Sequence, residues 1–111
     1  MELLAVYGTL KRGQYNHAVI EQDASYVGVA SLPGWRMYSL GAFPVIVPAE
    51  PDQAVFVEIF AVSDLVATDR LEGFPSFYNR KKVETHVGDA WVYYMESVGH
   101  RGAEQITSGV W

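Results

Sequence analysis

Most of this chain is written in the period of a β-strand. Glu2–Tyr7 is a short, largely apolar run that stops at Gly8, which suits a buried strand. Ser25–Ser31 and Trp35–Leu40 are β-branched or aromatic stretches divided by Leu32-Pro33-Gly34, where Pro-Gly signals a turn. Gly41-Ala42-Phe43-Pro44 breaks the chain again before Val45-Ile46-Val47, and Pro48 to Asp52 is a polar turn punctuated by proline. Val55, Val57, Ile59 and Ala61 then alternate with Phe56, Glu58 and Phe60, a strand with Glu58 on its mostly aromatic face. Asn79–Val87 and Ala90–Met95 form a predicted hairpin around Gly88-Asp89.

Two segments depart from that period. Tyr15–Glu21 reads as a short helix. A second helix is expected to start at Ser63-Asp64, where serine caps free N–H groups and aspartate suits the positive dipole end. It ends at Gly73, because glycine accepts the left-handed conformation that terminates helices. Glu96–Trp111 has little periodicity and reads as a tail packing through Ile106 and Trp111. Many short strands with two short helices indicate an α+β domain, its sheet largely antiparallel and curling into a partial β-barrel. With no internal repeat, low-complexity tract or linker, residues 1–111 form a single domain in this reading.

Composition narrows the function. Half of the 111 residues are apolar and only 19% are charged, the balance of a folded domain rather than a disordered chain. Eight basic residues against thirteen acidic ones give a net charge of −5, which argues against nucleic acid as a partner. There is no cysteine, so thiolate nucleophiles, disulfides and cysteine-ligated metals are out of reach. No apolar run approaches the roughly 20 residues of a membrane-spanning helix, and the opening Met1-Glu2 does not resemble a signal peptide. The expected setting is the cytoplasm, with no obligatory protein partner evident.

Common catalytic patterns fail one by one. Gly8 and Gly13 have the glycine spacing of a phosphate-binding loop, but Gln14 and Tyr15 stand where lysine and a hydroxyl residue are required. His17, His86 and His100 are scattered without ligand spacing, so no metal is expected. No G-x-S-x-G elbow is present. Lys81 and Lys82 read as a solvated strand edge, where lysine discourages sheet-to-sheet pairing.

Two features remain. Between Tyr7 and Tyr15 a strand turns through a loop towards a helix, and successive N–H groups at such a turn form a concave donor site for a carboxylate or carbonyl oxygen. Its plain alternative is an ordinary tight connection. Glu72 stands one residue before the helix-ending Gly73, among Leu71, Phe74, Phe77 and Tyr78. At a helix C-terminus the dipole disfavours a negative charge, and apolar neighbours disfavour it further. Both effects raise a carboxyl pKa, as a general base working near neutral pH requires. The plain alternative here is an exposed helix-end glutamate.

Together, these features resemble a known family. Tyr7-Gly8-Thr9-Leu10-Lys11-Arg12-Gly13, followed by Asn16-His17, is similar to the N-terminal signature of the gamma-glutamyl cyclotransferase-like family, with its gamma-glutamylamine cyclotransferase branch nearest. Leu71-Glu72-Gly73-Phe74-Pro75, followed by Phe77-Tyr78-Asn79-Arg80, resembles the segment that carries the family's catalytic glutamate. Tyr38–Pro44 and Ala90–Tyr94 resemble further blocks, and Ile106–Trp111 resembles the family's ending except that Val110 replaces an aspartate.

The resemblance implies a small mixed, largely antiparallel barrel with a ligand cavity at one side. It also implies a substrate-binding loop at Tyr7, Gly8, Thr9 and Leu10, a cavity-lining hydroxyl at Tyr78, and Glu72 as acid and base. The implied reaction needs no cofactor. A γ-glutamyl amide closes on itself, releasing 5-oxoproline and an amine, because its α-amino group is already tethered to the γ-carbonyl. Loop N–H groups from Gly8 to Leu10 are candidate oxyanion donors, and Arg12 or Arg80 is a candidate partner for the substrate carboxylate. The alternative is a non-catalytic small-molecule binding domain on the same fold.

Overall fold

The computed structural model describes residues 1–99 and 102–111 of the chain, leaving His100 outside. Its strands are β1 (Glu2–Val6), β2 (Ser25–Pro33), β3 (Trp35–Ser39), β4 (Pro44–Pro48), β5 (Ala54–Val62), β6 (Asn79–Thr85), β7 (Gly88–Tyr94) and β8 (Glu104–Ile106), with helix α1 (Val66–Glu72) between β5 and β6. They make two sheets, a five-stranded one in the order β2-β5-β1-β7-β6 and a three-stranded one in the order β4-β3-β8. Every pairing is antiparallel except β1 with β7, where Leu4 lies opposite Trp91.

The fold is therefore α+β and rich in antiparallel sheet, as the sequence pattern implies, but a closed barrel is not seen and one expected helix is corrected. No ladder among the described residues closes β2 onto β6, so the sheets do not form a hydrogen-bonded barrel. The helix expected at Tyr15–Glu21 is only a single 3-10 turn, His17–Val19. Asn16 donates through Nδ2 to Thr9 Oγ1 and His17 Nδ1 lies 2.8 Å from the Leu10 carbonyl, so both side chains are held back on the preceding loop. Such local bonds compete with helix propagation, and a nucleus this short gains little by extending.

β1 is central because it can bury both faces. Leu4 and Val6 join one apolar cluster with Leu10, Val45, Phe60, Val62 and Tyr78. Ala5 and Tyr7 join another with Val57, Ile59, Met37 and Val92. β5 changes character along its length. Val55, Val57 and Ile59 face the second cluster, whereas Phe60 and Val62 on the other face are buried and Phe56 is exposed. The 3-10 turn explains the difference, since His17 packs its ring 5.4 Å from that of Phe60.

Turns also shift from their expected places. β2 runs on to Pro33, which sits opposite Ala54 on an edge strand, where a residue without an N–H is tolerated. Gly34, at φ 85°, then carries the chain into the other sheet. The β6–β7 turn is His86-Val87 rather than Gly88-Asp89, because Gly88 already pairs with Thr85. The Thr85 hydroxyl accepts from the Val87 N–H and donates to the Gly88 carbonyl, which fixes the register. In the tail, β8 pairs with β3, and Ile106 and Trp111 pack against the second cluster. No described helix is long and apolar enough to cross a membrane.

Candidate active site

The end of α1 is built by its sequence. The helix starts later than Ser63, with Leu65 at the N-cap position and no side-chain cap from it, while Asp64 Oδ1 accepts from the Val66 N–H. At the other end Gly73 takes φ 65°, its N–H reaches the Arg70 carbonyl, and the Phe74 N–H reaches that of Asp69. This paired closure satisfies two free helix carbonyls and requires a residue without a Cβ at the turn. The chain then folds back, with the Phe77 N–H on the Gly73 carbonyl and the Tyr78 N–H on that of Glu72. Glu72 and Tyr78 become neighbours across this reversal.

The six residues singled out from the sequence, Tyr7, Gly8, Thr9, Leu10, Glu72 and Tyr78, line one cavity of about 290 Å³. That is close to the lower limit of about 300–1,000 Å³ for ligand pockets, which suits a small molecule. The loop reaches it by close approach. A Cβ on Gly8 would lie 2.6 Å from Cγ of Pro44, so the backbone passes where no side chain fits. Among the described residues no protein acceptor takes the N–H of Gly8, Thr9 or Leu10. The bond from Lys11 N–H to the Gly8 carbonyl and that from Asn16 N–H to the Thr9 carbonyl hold the loop's shape.

Glu72 is half-buried, and its carboxyl is raised to about 7 because burial disfavours the charged form. No ion pair or side-chain hydrogen bond stabilises it among the described residues. The tyrosines beside it are also held neutral. Burial pushes the Tyr7 hydroxyl well above its ordinary value, helped by Tyr78 and Glu72. Burial, then the Glu72 charge, does the same to Tyr78. Tyr7 donates to the Tyr93 carbonyl at 2.8 Å, and Tyr78 donates to the Pro44 carbonyl at 2.6 Å. These bonds fix both rings in the cavity wall.

Several lining residues escaped the sequence reading, among them Tyr93, Phe43 and Asn16. Tyr93 carried one usable sign, a tyrosine within a run that must be buried, whose hydroxyl therefore needs a partner. It donates to Asp69 Oδ1 at 2.6 Å and lies 2.8 Å from Thr68 Oγ1. Arg80 grips the same aspartate, through Nε at 2.8 Å and Nη2 at 3.2 Å, with its guanidinium stacked between Phe74 and Trp91. Burial would raise the Asp69 carboxyl, but the bonds from Arg80 and Tyr93 and the Arg80 charge outweigh it and hold it below its ordinary value.

The arginines do not serve as expected. Arg12 bonds Glu58 through both its N–H and its guanidinium, and that group lies 3.7 Å from the centre of the Tyr26 ring. Arg80 is committed to Asp69, and neither arginine lines the cavity. Lys81 and Lys82 lie on the edge strand β6, exposed, as the strand-edge reading had them. No group of three His, Asp or Glu side chains that could hold a metal occurs among the described residues.

A loop whose N–H groups have no protein acceptor among the described residues thus lines the same small cavity as a lone, desolvated carboxylate. The chain belongs to the gamma-glutamyl cyclotransferase, AIG2-like family, whose model matches residues 4–111. A Vibrio cholerae protein provisionally named a gamma-glutamylcyclotransferase is 36% identical over 111 residues, spanning 98% of this chain and 94% of that protein. The gamma-glutamylcyclotransferase family protein YtfP of Escherichia coli K12 is 32% identical over 109 residues, spanning 96% and 92%. Among solved structures, an AIG2-like protein from Mus musculus superposes with a TM-score of 0.80 at 25% identity, covering 100% of this chain and 88% of its own. A Pyrococcus horikoshii protein gives 0.81 at 25% identity, covering 99% and 89%.

Proposed function

We propose that this protein cyclises γ-glutamyl amides, releasing 5-oxoproline and a free amine, with Glu72 as the group that moves the proton. The observation that carries the reading is the Glu72 carboxyl, held near neutrality in the same cavity as the free N–H groups of Gly8, Thr9 and Leu10. Family membership supports cyclotransfer as the class of reaction.

The steps follow from those groups. The substrate's α-ammonium gives one proton to Glu72, and the freed nitrogen attacks the γ-carbonyl carbon. A C–N bond forms, closing a five-membered ring, while the carbonyl electrons move onto oxygen, where loop N–H groups stabilise them. The attacking nitrogen sheds a second proton as the tetrahedral centre collapses and the bond to the leaving nitrogen breaks. Glu72 returns its proton to that nitrogen, which takes up the second one as well and departs as an ammonium. A carboxyl near pH 7 is suited to both transfers, because neither its acid nor its base form is scarce. Tyr7 and Tyr78, held neutral with their protons given to the Tyr93 and Pro44 carbonyls, can accept hydrogen bonds without adding charge beside Glu72.

The direct test is release of 5-oxoproline from simple γ-glutamyl amides, followed by mass spectrometry, for the wild type and Glu72→Gln. Release is expected from the wild type, with kcat reduced about 100-fold or more in the variant, the scale of a lost acid–base group. A folded Glu72→Gln protein that cyclises at the full rate would refute the assignment of the proton to Glu72.

A further inference from the structure

The cavity has two zones of different chemistry. Its buried part, around Tyr7, Thr9, Tyr78 and Tyr93, is polar, and the loop N–H groups there suit the carboxylate and carbonyl of a glutamyl group. Its open rim does not. Tyr15 is 70% exposed, Phe77 41% and Leu71 39%, and the half-buried Phe43 packs edge-on against Phe77 with ring centres 5.9 Å apart. Of the fifteen described residues that line the cavity, Glu72 alone is charged. With a glutamyl group filling the buried part, the amine half would lie over this rim.

We infer that the site favours γ-glutamyl amides whose leaving amine is uncharged and apolar, and discriminates against those whose amine half carries a second ammonium group. The inference rests on the cyclotransferase reading above. A primary ammonium is compact and strongly hydrated, so it loses solvation on entering an aromatic rim and finds no carboxylate there. Contact with ring faces returns only a small part of that loss at an exposed site. Glu72 cannot serve as the partner, because it is engaged with the α-amino group at the reacting end. Two other carboxylates are taken as well, Asp69 by Arg80 and Glu58 by Arg12. The net charge of −5 draws cations to the surface at large, without supplying an anchor at the rim. An apolar amine instead covers Tyr15, Phe43, Leu71 and Phe77 and releases water from them.

Two substrates of equal length isolate the effect. γ-Glutamyl butylamide and γ-glutamyl 4-aminobutylamide differ only in a terminal ammonium. The butylamide is expected to be favoured in kcat/KM by about tenfold or more. Tyr15→Glu, at a largely exposed position, places a carboxylate on the rim and should narrow that ratio by about threefold. Equal or faster turnover of the aminobutylamide by the wild type overturns the selectivity and leaves the cyclotransferase reading standing. A ratio unmoved by Tyr15→Glu shows that the rim does not set it and overturns the inference on that ground. Absence of 5-oxoproline from both amides, and from a benzylamide alongside, overturns the underlying reading and this inference with it.

Discussion

Glu72 stands where two effects disfavour its charge, the negative end of a short helix and partial removal from water. With its carboxyl near 7, the rate of 5-oxoproline release should climb as pH rises through about 7, as the base form becomes available. The same limb should vanish in Glu72→Gln. A pH–rate profile for both proteins checks this. Gly8 offers a second test at the same scale. In Gly8→Ala the new methyl must displace Pro44, whose carbonyl holds the Tyr78 hydroxyl. Overpacking of this kind costs about 1–3 kcal/mol, so a lower melting temperature and a reduced kcat are expected together. The helix-end position of Glu72 among apolar residues was legible in the sequence because a carboxylate there is a local misfit. Only the family resemblance, however, set it and the Tyr7–Leu10 loop above their plain alternatives. Tyr93 and Phe43 were not legible, since their place in the wall depends on which strands pair.

At the scale of elements, α1 is tied to the sheet by a small polar network. Asp69 lies one helical turn before Glu72 and is held by Arg80 on β6 and Tyr93 on β7. These bonds anchor the helix one turn before Glu72. Asp69→Asn weakens the two-point grip of Arg80, and a cost of about 1–3 kcal/mol in stability is expected for the partly buried pair. A purely structural role would end there. A positioning role predicts in addition that kcat falls several-fold more than KM changes and that the limb near pH 7 moves.

Seven of the eight strands were readable from their apolar or alternating runs, but β8, in a tail without periodicity, and the partition into two sheets were not. Leu32-Pro33-Gly34 has the local chemistry of a hairpin turn, yet β2 pairs with β5 and β3 with β4 and β8. Nothing within those few residues records where the partner lies. The helix end at Gly73 was readable because its determinant is local. The helix expected at Tyr15–Glu21 was not, because backward bonds from Asn16 and His17 ended it.

For the molecule as a whole, the site is also a source of instability. Glu72 has a folded pKa raised from 4.5 to about 7, so the folded state holds its proton more tightly than the unfolded state. Its neutral form carries no penalty below pH 4.5, and stability is lost as pH rises to about 7, by up to about 3 kcal/mol. Glu72→Gln should therefore gain on the wild type in melting temperature across that interval and keep its lead above it. Thermal melts of both proteins at several pH values read this out, and a constant difference would sink it.

The pairing of β1 with β7 has a consequence in the order of synthesis. The central strand is made well before its neighbour around Trp91, with most of the other strands between them. A nascent chain that stops short of β7 can pair β1 only with β5, and the edge meant for β7 stays open. The core, and the cavity wall that includes Tyr93, is completed only when nearly all of these residues have left the ribosome. Until then the chain carries an unpaired edge of apolar strand, the kind of surface that other chains can join.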